Sequence, residues 1–137
     1  LAALRLGMAF ASRPVIDYLN KGKYPYNINS ATQQLALEAL NNISSVNNWT
    51  KTTVLQRDAI KEELTKLSFV LTVYPSDANF LLVKMIKAQE IYNYLAGKGI
   101  IVRKRSNVIL CDDCLRITIG TPEENKLLLE TLKSYQP

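Results

Sequence analysis

The chain has 137 residues, of which 47% are hydrophobic and 21% charged, and its 17 Lys and Arg exceed its 12 Asp and Glu by a formal net charge of +5. That is one domain's worth of globular sequence, able to bury roughly two thirds of its unfolded surface without a metal or disulfide staple, so disordered and collagen-like classes are excluded. Histidine is absent, which removes imidazole-based triads, His-ligated metal centres and the usual pH switch from the chemistry these residues can perform.

No apolar run approaches the ~20 residues of a membrane helix, and the opening Leu-Ala-Ala-Leu-Arg lacks the layout of a secretion signal. These features predict a soluble cytoplasmic protein without a membrane partner. Basic residues are interleaved with acids, and no strand combines basic and aromatic residues in the RNA-binding pattern, so no nucleic-acid partner is expected. A start at Leu1, without Met and already strand-like, predicts a piece of a longer protein.

In chain order, residues 4–11 alternate: Leu4, Leu6, Met8 and Phe10 on one side, Arg5, Gly7, Ala9 and Ala11 on the other. This predicts a strand with one bulky and one nearly bare face. Pro14 then opens a short helix. Residues 21–29, with Tyr24, Tyr26 and Ile28, read as an ordered connector in which the two tyrosines pack. Ser30-Ala-Thr-Gln33 has the form of a capping box, predicting a helix over 30–43 with Leu35, Ala36, Ala39, Leu40 and Ile43 inward. After a polar break at 44–48, a second helix is expected over 50–67.

Strands follow over 69–74 and 78–85, joined by a Pro75-Ser76-Asp77 turn; Asn79 is a candidate turn-closing side chain. Continuous apolarity over 80–83 predicts burial on both faces. A helix over 87–96 turns Ala88, Ile91, Tyr92 and Leu95 inward. Strands are expected over 100–105 and 115–121, then a helix opened by the capping box Thr121-Pro-Glu-Glu124 with Leu127, Leu128, Leu132 and Tyr135 inward. The order predicts an α+β fold: a small, mostly antiparallel sheet with helices packed on one side.

Cys111 and Cys114 form one C-x-x-C, where a structural zinc site usually needs a second pair, so no metal is expected. The two aspartates between the thiols disfavour a thioredoxin-like pair by raising thiol pKa values, leaving an incidental loop pair as the favoured reading. Three arginines stand among apolar strand residues: Arg5, Arg103 and Arg116. A guanidinium on a rigid strand is a bidentate clamp for carboxylate or phosphate, although for any one of them taken alone a salt bridge or solvated edge is the favoured reading. Lys104 and Arg105 read as solvated.

Residues 1–7, Leu-Ala-Ala-Leu-Arg-Leu-Gly, resemble the segment just after the cofactor lysine in fold-type I pyridoxal-phosphate aminotransferases. Lys23-Tyr-Pro-Tyr-Asn-Ile-Asn29, Tyr74-Pro-Ser-Asp-Ala-Asn-Phe-Leu-Leu-Val83, Gly99-Ile-Ile-Val-Arg103 and Cys114-Leu-Arg-Ile-Thr-Ile-Gly-Thr121 resemble, in that order, the C-terminal part of histidinol-phosphate aminotransferases. The resemblance implies residues 1–29 as a remnant of the large cofactor-binding domain with its connector, and 30–137 as the small domain. It implies Arg5 as a ligand of the pyridoxal phosphate group, and Arg103 and Arg116 as ligands of an anionic substrate. Asn27 and Asn79 also fall on family motif positions.

Ala3 departs from the family's usual Gly. The Schiff-base lysine would precede Leu1, so this segment holds no catalytic residue and would be inactive alone. The implied parent is a homodimer that interconverts histidinol phosphate and 2-oxoglutarate with imidazole acetol phosphate and glutamate, in histidine biosynthesis. A related aromatic aminotransferase, a phosphothreonine decarboxylase or a free-standing anion-binding regulatory module are the alternatives.

Overall fold

The computed structural model describes residues 2–136. Two compact units divide them, Leu1–Asn47 and Asn48–Pro137.

The second unit holds the sheet. Strands β1 (Val70–Val73), β2 (Phe80–Met85), β3 (Arg103–Lys104) and β4 (Cys114–Thr118) stand in the order β1-β2-β4-β3, every neighbouring pair antiparallel. The sheet is thus wholly antiparallel. Between β2 and β3 runs helix α4 (Ala88–Gly97), and the chain then turns back so that β4 lies inside the sheet. Helices α3 (Ile43–Thr65) and α5 (Pro122–Lys133) complete the layer.

Burial in β2 alternates: Leu81, Val83 and Met85 are enclosed, whereas Phe80, Leu82 and Lys84 are half-buried. The expected two-faced burial of 80–83 is therefore corrected, because helices cover only one side of the sheet. On that side Leu81, Val83, Met85, Leu115 and Ile117 join Ile60 and Leu64 of α3, Ile91 and Leu95 of α4, and Leu128 and Leu132 of α5 in one core. Tyr92 and Tyr135 pack at its margin. Leu127, expected inward, lies on the exposed face of α5. The Thr121–Glu124 capping box forms as the sequence predicts, with both reciprocal hydrogen bonds made, and Pro122 sits in the first turn.

The first unit differs from expectation at several points. Ala2–Leu4 is one 3₁₀ turn, Arg5 adopts φ 55°, and residues 6–12 have no regular structure, so the predicted strand over 4–11 does not form. Alternation supplies a pattern for pairing, and no partner strand is present among the described residues of this unit. Helix α1 is Arg13–Gly22, and α2 is Ser30–Asn41. The cap of α2 lies one residue earlier than the sequence suggests: the Asn29 carboxamide accepts from the Thr32 amide at 2.8 Å, and Gln33 donates to the Ile28 carbonyl. Of the residues expected inward on α2, only Ala36 is buried; Leu35 and Leu40 are half exposed. The connector tyrosines do not pack either. Tyr24 is 84% and Tyr26 99% exposed.

The polar stretch 44–48 is no break but the first turns of α3, where Ser and Asn are tolerated because the helix continues to a buried seam at Ile60 and Leu64. The expected strand over 100–105 shrinks to Arg103–Lys104 at the sheet edge.

Candidate functional site

The open face of the sheet carries two of the three strand arginines singled out in the sequence. In β4, Leu115 and Ile117 enter the core, so Arg116 between them projects to the other side. The register places Arg116 directly opposite Arg103 of β3 on one flank and Leu82 of β2 on the other. Residues directly opposite in an antiparallel pair share a face, so both guanidiniums rise from the same surface. Arg103 is exposed and Arg116 half-buried.

Two like charges placed opposite each other destabilise a ladder, and no carboxylate pairs with either arginine among the described residues. Arg116 instead lies over the Phe80 ring, its central carbon 5.0 Å from the ring centroid. Such stacking contributes about 0.5–2 kcal/mol and orients the planar fork without occupying its N–H edges. The Arg116 Nε is buried and finds no hydrogen-bond partner among the described residues. An unmet buried donor costs about 1–3 kcal/mol, more when charged. An anion seated between Arg103 and Arg116 would relieve the repulsion and offer acceptors to both forks.

The supports of this pair are local and specific. Ser76, rather than Asn79, closes the turn before β2: its hydroxyl donates to the Phe80 carbonyl at 2.6 Å and accepts from the Ala78 amide. Asn79 contributes its backbone carbonyl, which accepts from the Ile119 amide at 2.9 Å and continues the ladder beyond Thr118. Arg57 of α3 donates to the Ala78 carbonyl at 3.2 Å. At the far end of β4, the buried Asn125 side chain accepts from the Gly120 amide and donates to the Gly120 carbonyl and to Gln56. A Cβ on Gly120 would meet the Glu124 carboxylate at 2.5 Å, so the capping carboxylate occupies the space a side chain there would need.

Of the sequence-predicted residues, Arg103 and Arg116 are brought together as neighbours. Arg5 lies in the first unit on an exposed turn. Lys104 hydrogen-bonds Gln89, and Arg105 is half-buried. Phe80 escaped the sequence reading, since an apolar run suggested core on both sides. Its parity with Lys84, two strand steps on, was the available sign that this face is open. Cys114 is buried and Cys111 half-buried, both as free thiols. Burial is the leading cause of a raised Cys114 pKa, with the flanking aspartates the smallest contributors.

Comparison with known proteins places these residues in a wider pattern. The sequence profile of the family described as Aminotransferase class I and II matches residues 1–132. A histidinol-phosphate aminotransferase of Bacteroides thetaiotaomicron is 53% identical over 98% of this chain, and one of Cytophaga hutchinsonii is 51% identical over the same share. The chain spans 39% of the length of each of those relatives. Among solved structures, a putative aminotransferase from Burkholderia pseudomallei superposes with TM-score 0.80 at 26% identity, covering 89% of this chain and 37% of that one.

Proposed function

This chain belongs to the aminotransferase class I and II family, and on that premise we propose that it supplies the substrate-anion site of an enzyme acting on histidinol phosphate. The observation that carries this reading is the cross-strand Arg103–Arg116 pair, with one guanidinium stacked on Phe80 and its buried Nε unpaired. A phosphate dianion offers several acceptors to two forks, whereas one carboxylate would satisfy a single fork. High identity to relatives named histidinol-phosphate aminotransferase favours that phosphate ester among possible anions.

The family is generally dependent on pyridoxal phosphate. In this chain Arg5 is the residue we assign to the cofactor phosphate: its side chain is exposed, and the space beside Gly7 is open, so an anion has access there. When bound, that cofactor supplies an electron sink for amino-group transfer. The work of this chain's own residues is to bind and orient: Arg103 and Arg116 fix the substrate's anionic end, while the carboxylate-bearing 2-oxoglutarate and glutamate use the same positive face in the other half of the cycle. We assign residues 1–29 to the large domain of the parent enzyme and 30–137 to its small domain, and place the parent in the cytoplasm as a homodimer. No helix among the described residues is long and apolar enough to cross a membrane.

Kinetics of the full-length parent test the assignment. Arg103→Ala and Arg116→Ala should each lower kcat/KM for histidinol phosphate by about 1.5 to 3 decades, the equivalent of about 2–4 kcal/mol for a charge-assisted contact kept in the transition state. Arg→Lys should restore little, because a point charge does not reproduce the fork. An uncharged amine substrate should be affected far less. Equal losses on both substrates, with a lower melting temperature, would assign these arginines a structural role.

A further inference from the structure

Two residues before Arg116 lies a feature that anion binding does not use. Cys111 and Cys114 are the chain's two cysteines, and they are the ends of a single tight turn. The Cys114 amide donates to the Cys111 carbonyl at 3.1 Å, and Asp113 between them holds φ 55°. An i to i+3 hydrogen bond of this kind keeps the terminal Cα atoms within about 7 Å. A disulfide spans Cα separations of about 4.4–6.8 Å, the range into which such a turn brings its ends. Cys111 is half-buried, while Cys114 is wholly enclosed.

We propose that Cys111 and Cys114 form a dithiol site that a low-molecular-weight disulfide converts to an intrachain disulfide, with Cys111 as the entry thiol and Cys114 as the resolving thiol. In the first step the Cys111 thiolate attacks one sulfur of the oxidant, a mixed disulfide forms, and one small thiolate leaves. In the second, the Cys114 thiolate attacks the Cys111 sulfur and expels the other small thiolate. The two protein thiol protons end on the two departing thiolates, so one oxidant disulfide is reduced for each protein disulfide made.

The order of attack follows from exposure. A bulky oxidant reaches Cys111, whereas Cys114 needs only its sequence neighbour. The enclosed thiol is not left without a cation: Lys84 stands opposite it in the β2–β4 register and lowers its pKa, against the larger opposing effect of burial. Burial keeps the reaction slow and stoichiometric, which distinguishes this pair from the low-pKa thiols of disulfide oxidoreductases.

The reduced 137-residue chain, incubated with glutathione disulfide, alkylated in denaturant and weighed intact, decides the matter. The expected product has lost both thiols, is two hydrogens lighter and keeps no glutathione. Cys114→Ser should retain one glutathionyl group on Cys111, and Cys111→Ser should react at least tenfold more slowly than the parent chain. If Cys114→Ser fails to fold, the parent chain against Cys111→Ser, half-buried and tolerant of the change, suffices. Two thiols persisting after prolonged incubation, a parent chain that stops at the glutathione adduct, or a Cys111→Ser chain that reacts as fast would each overturn the proposal.

Discussion

The two compact units use similar sequence patterns with opposite results. In the second, helical apolar spacing ends in enclosed residues: Ile60, Leu64, Ile91, Leu95, Leu128 and Leu132 share one core with the sheet. In the first, helices of comparable length and spacing leave Leu35, Leu37 and Leu40 about half or more exposed, and Phe10 is 91% exposed. Periodicity therefore specifies that a helix can form and which side is apolar. Whether that side is buried depends on a second layer.

Paired core substitutions give the largest contrast. Leu132→Ala, emptying a fully enclosed site, should destabilise by about 2–5 kcal/mol, whereas Leu37→Ala on α2 should stay within about 0.5 kcal/mol. Urea denaturation of both variants measures the difference, and comparable losses would show that the first unit carries a core of its own.

A smaller effect is expected at Asn125, whose side chain meets Gly120 and Gln56 inside the second unit. Asn125→Ala should cost about 1–3 kcal/mol by leaving the Gly120 amide and carbonyl unmet, measured by the same denaturation.

Helix caps sharpen the comparison further. Thr121→Ala removes one half of a complete capping box and should cost about 1 kcal/mol of global stability. Asn29→Ala removes the α2 cap, and its effect should appear as lost helicity by circular dichroism with little change in the main unfolding transition, because α2 buries only Ala36.

The smallest effect is electrostatic. Lys133 first, and Lys66 second, hold the Glu63 carboxyl down to about 2 from its ordinary 4.5. A depressed folded-state pKa stabilises above the unfolded value and is lost as pH falls through the folded one, here between about 4.5 and 2. Glu63→Gln should flatten the dependence of melting temperature on pH within that window while changing neutral stability little, since both lysine partners are exposed and the pairs are screened by solvent. Added salt should shrink the difference.

Local chemistry was legible in sequence wherever it is decided within a few residues. The Thr121–Glu124 box, the inward stripe of α4 and the parity of Leu115, Arg116 and Ile117 all depend on near neighbours. The mostly antiparallel sheet was read from those elements, and the structure makes it wholly antiparallel. Readings that needed distant partners fared worse: residues 4–11 alternate but find no strand to pair with, and Tyr24 and Tyr26 find nothing to pack on. Phe80 belongs to the same class. Its role under Arg116 comes from a diagonal contact across two strands that no spacing within β2 records.

The strand carrying Arg116 is fourth in the chain but interior in the sheet, seated between β2 and β3. A β1–β2 hairpin can close from local sequence, yet β4 must arrive after some thirty residues of intervening chain to pair with β2, and it carries β3 on its other edge. Loop closure for such non-local pairing precedes its reward, so it belongs to the slow end of folding. Arg103 and Arg116, however, face each other within the β3–β4 pair, so closing that one short-range pair brings the two guanidiniums onto one surface, and docking on β2 is the separate, long-range step.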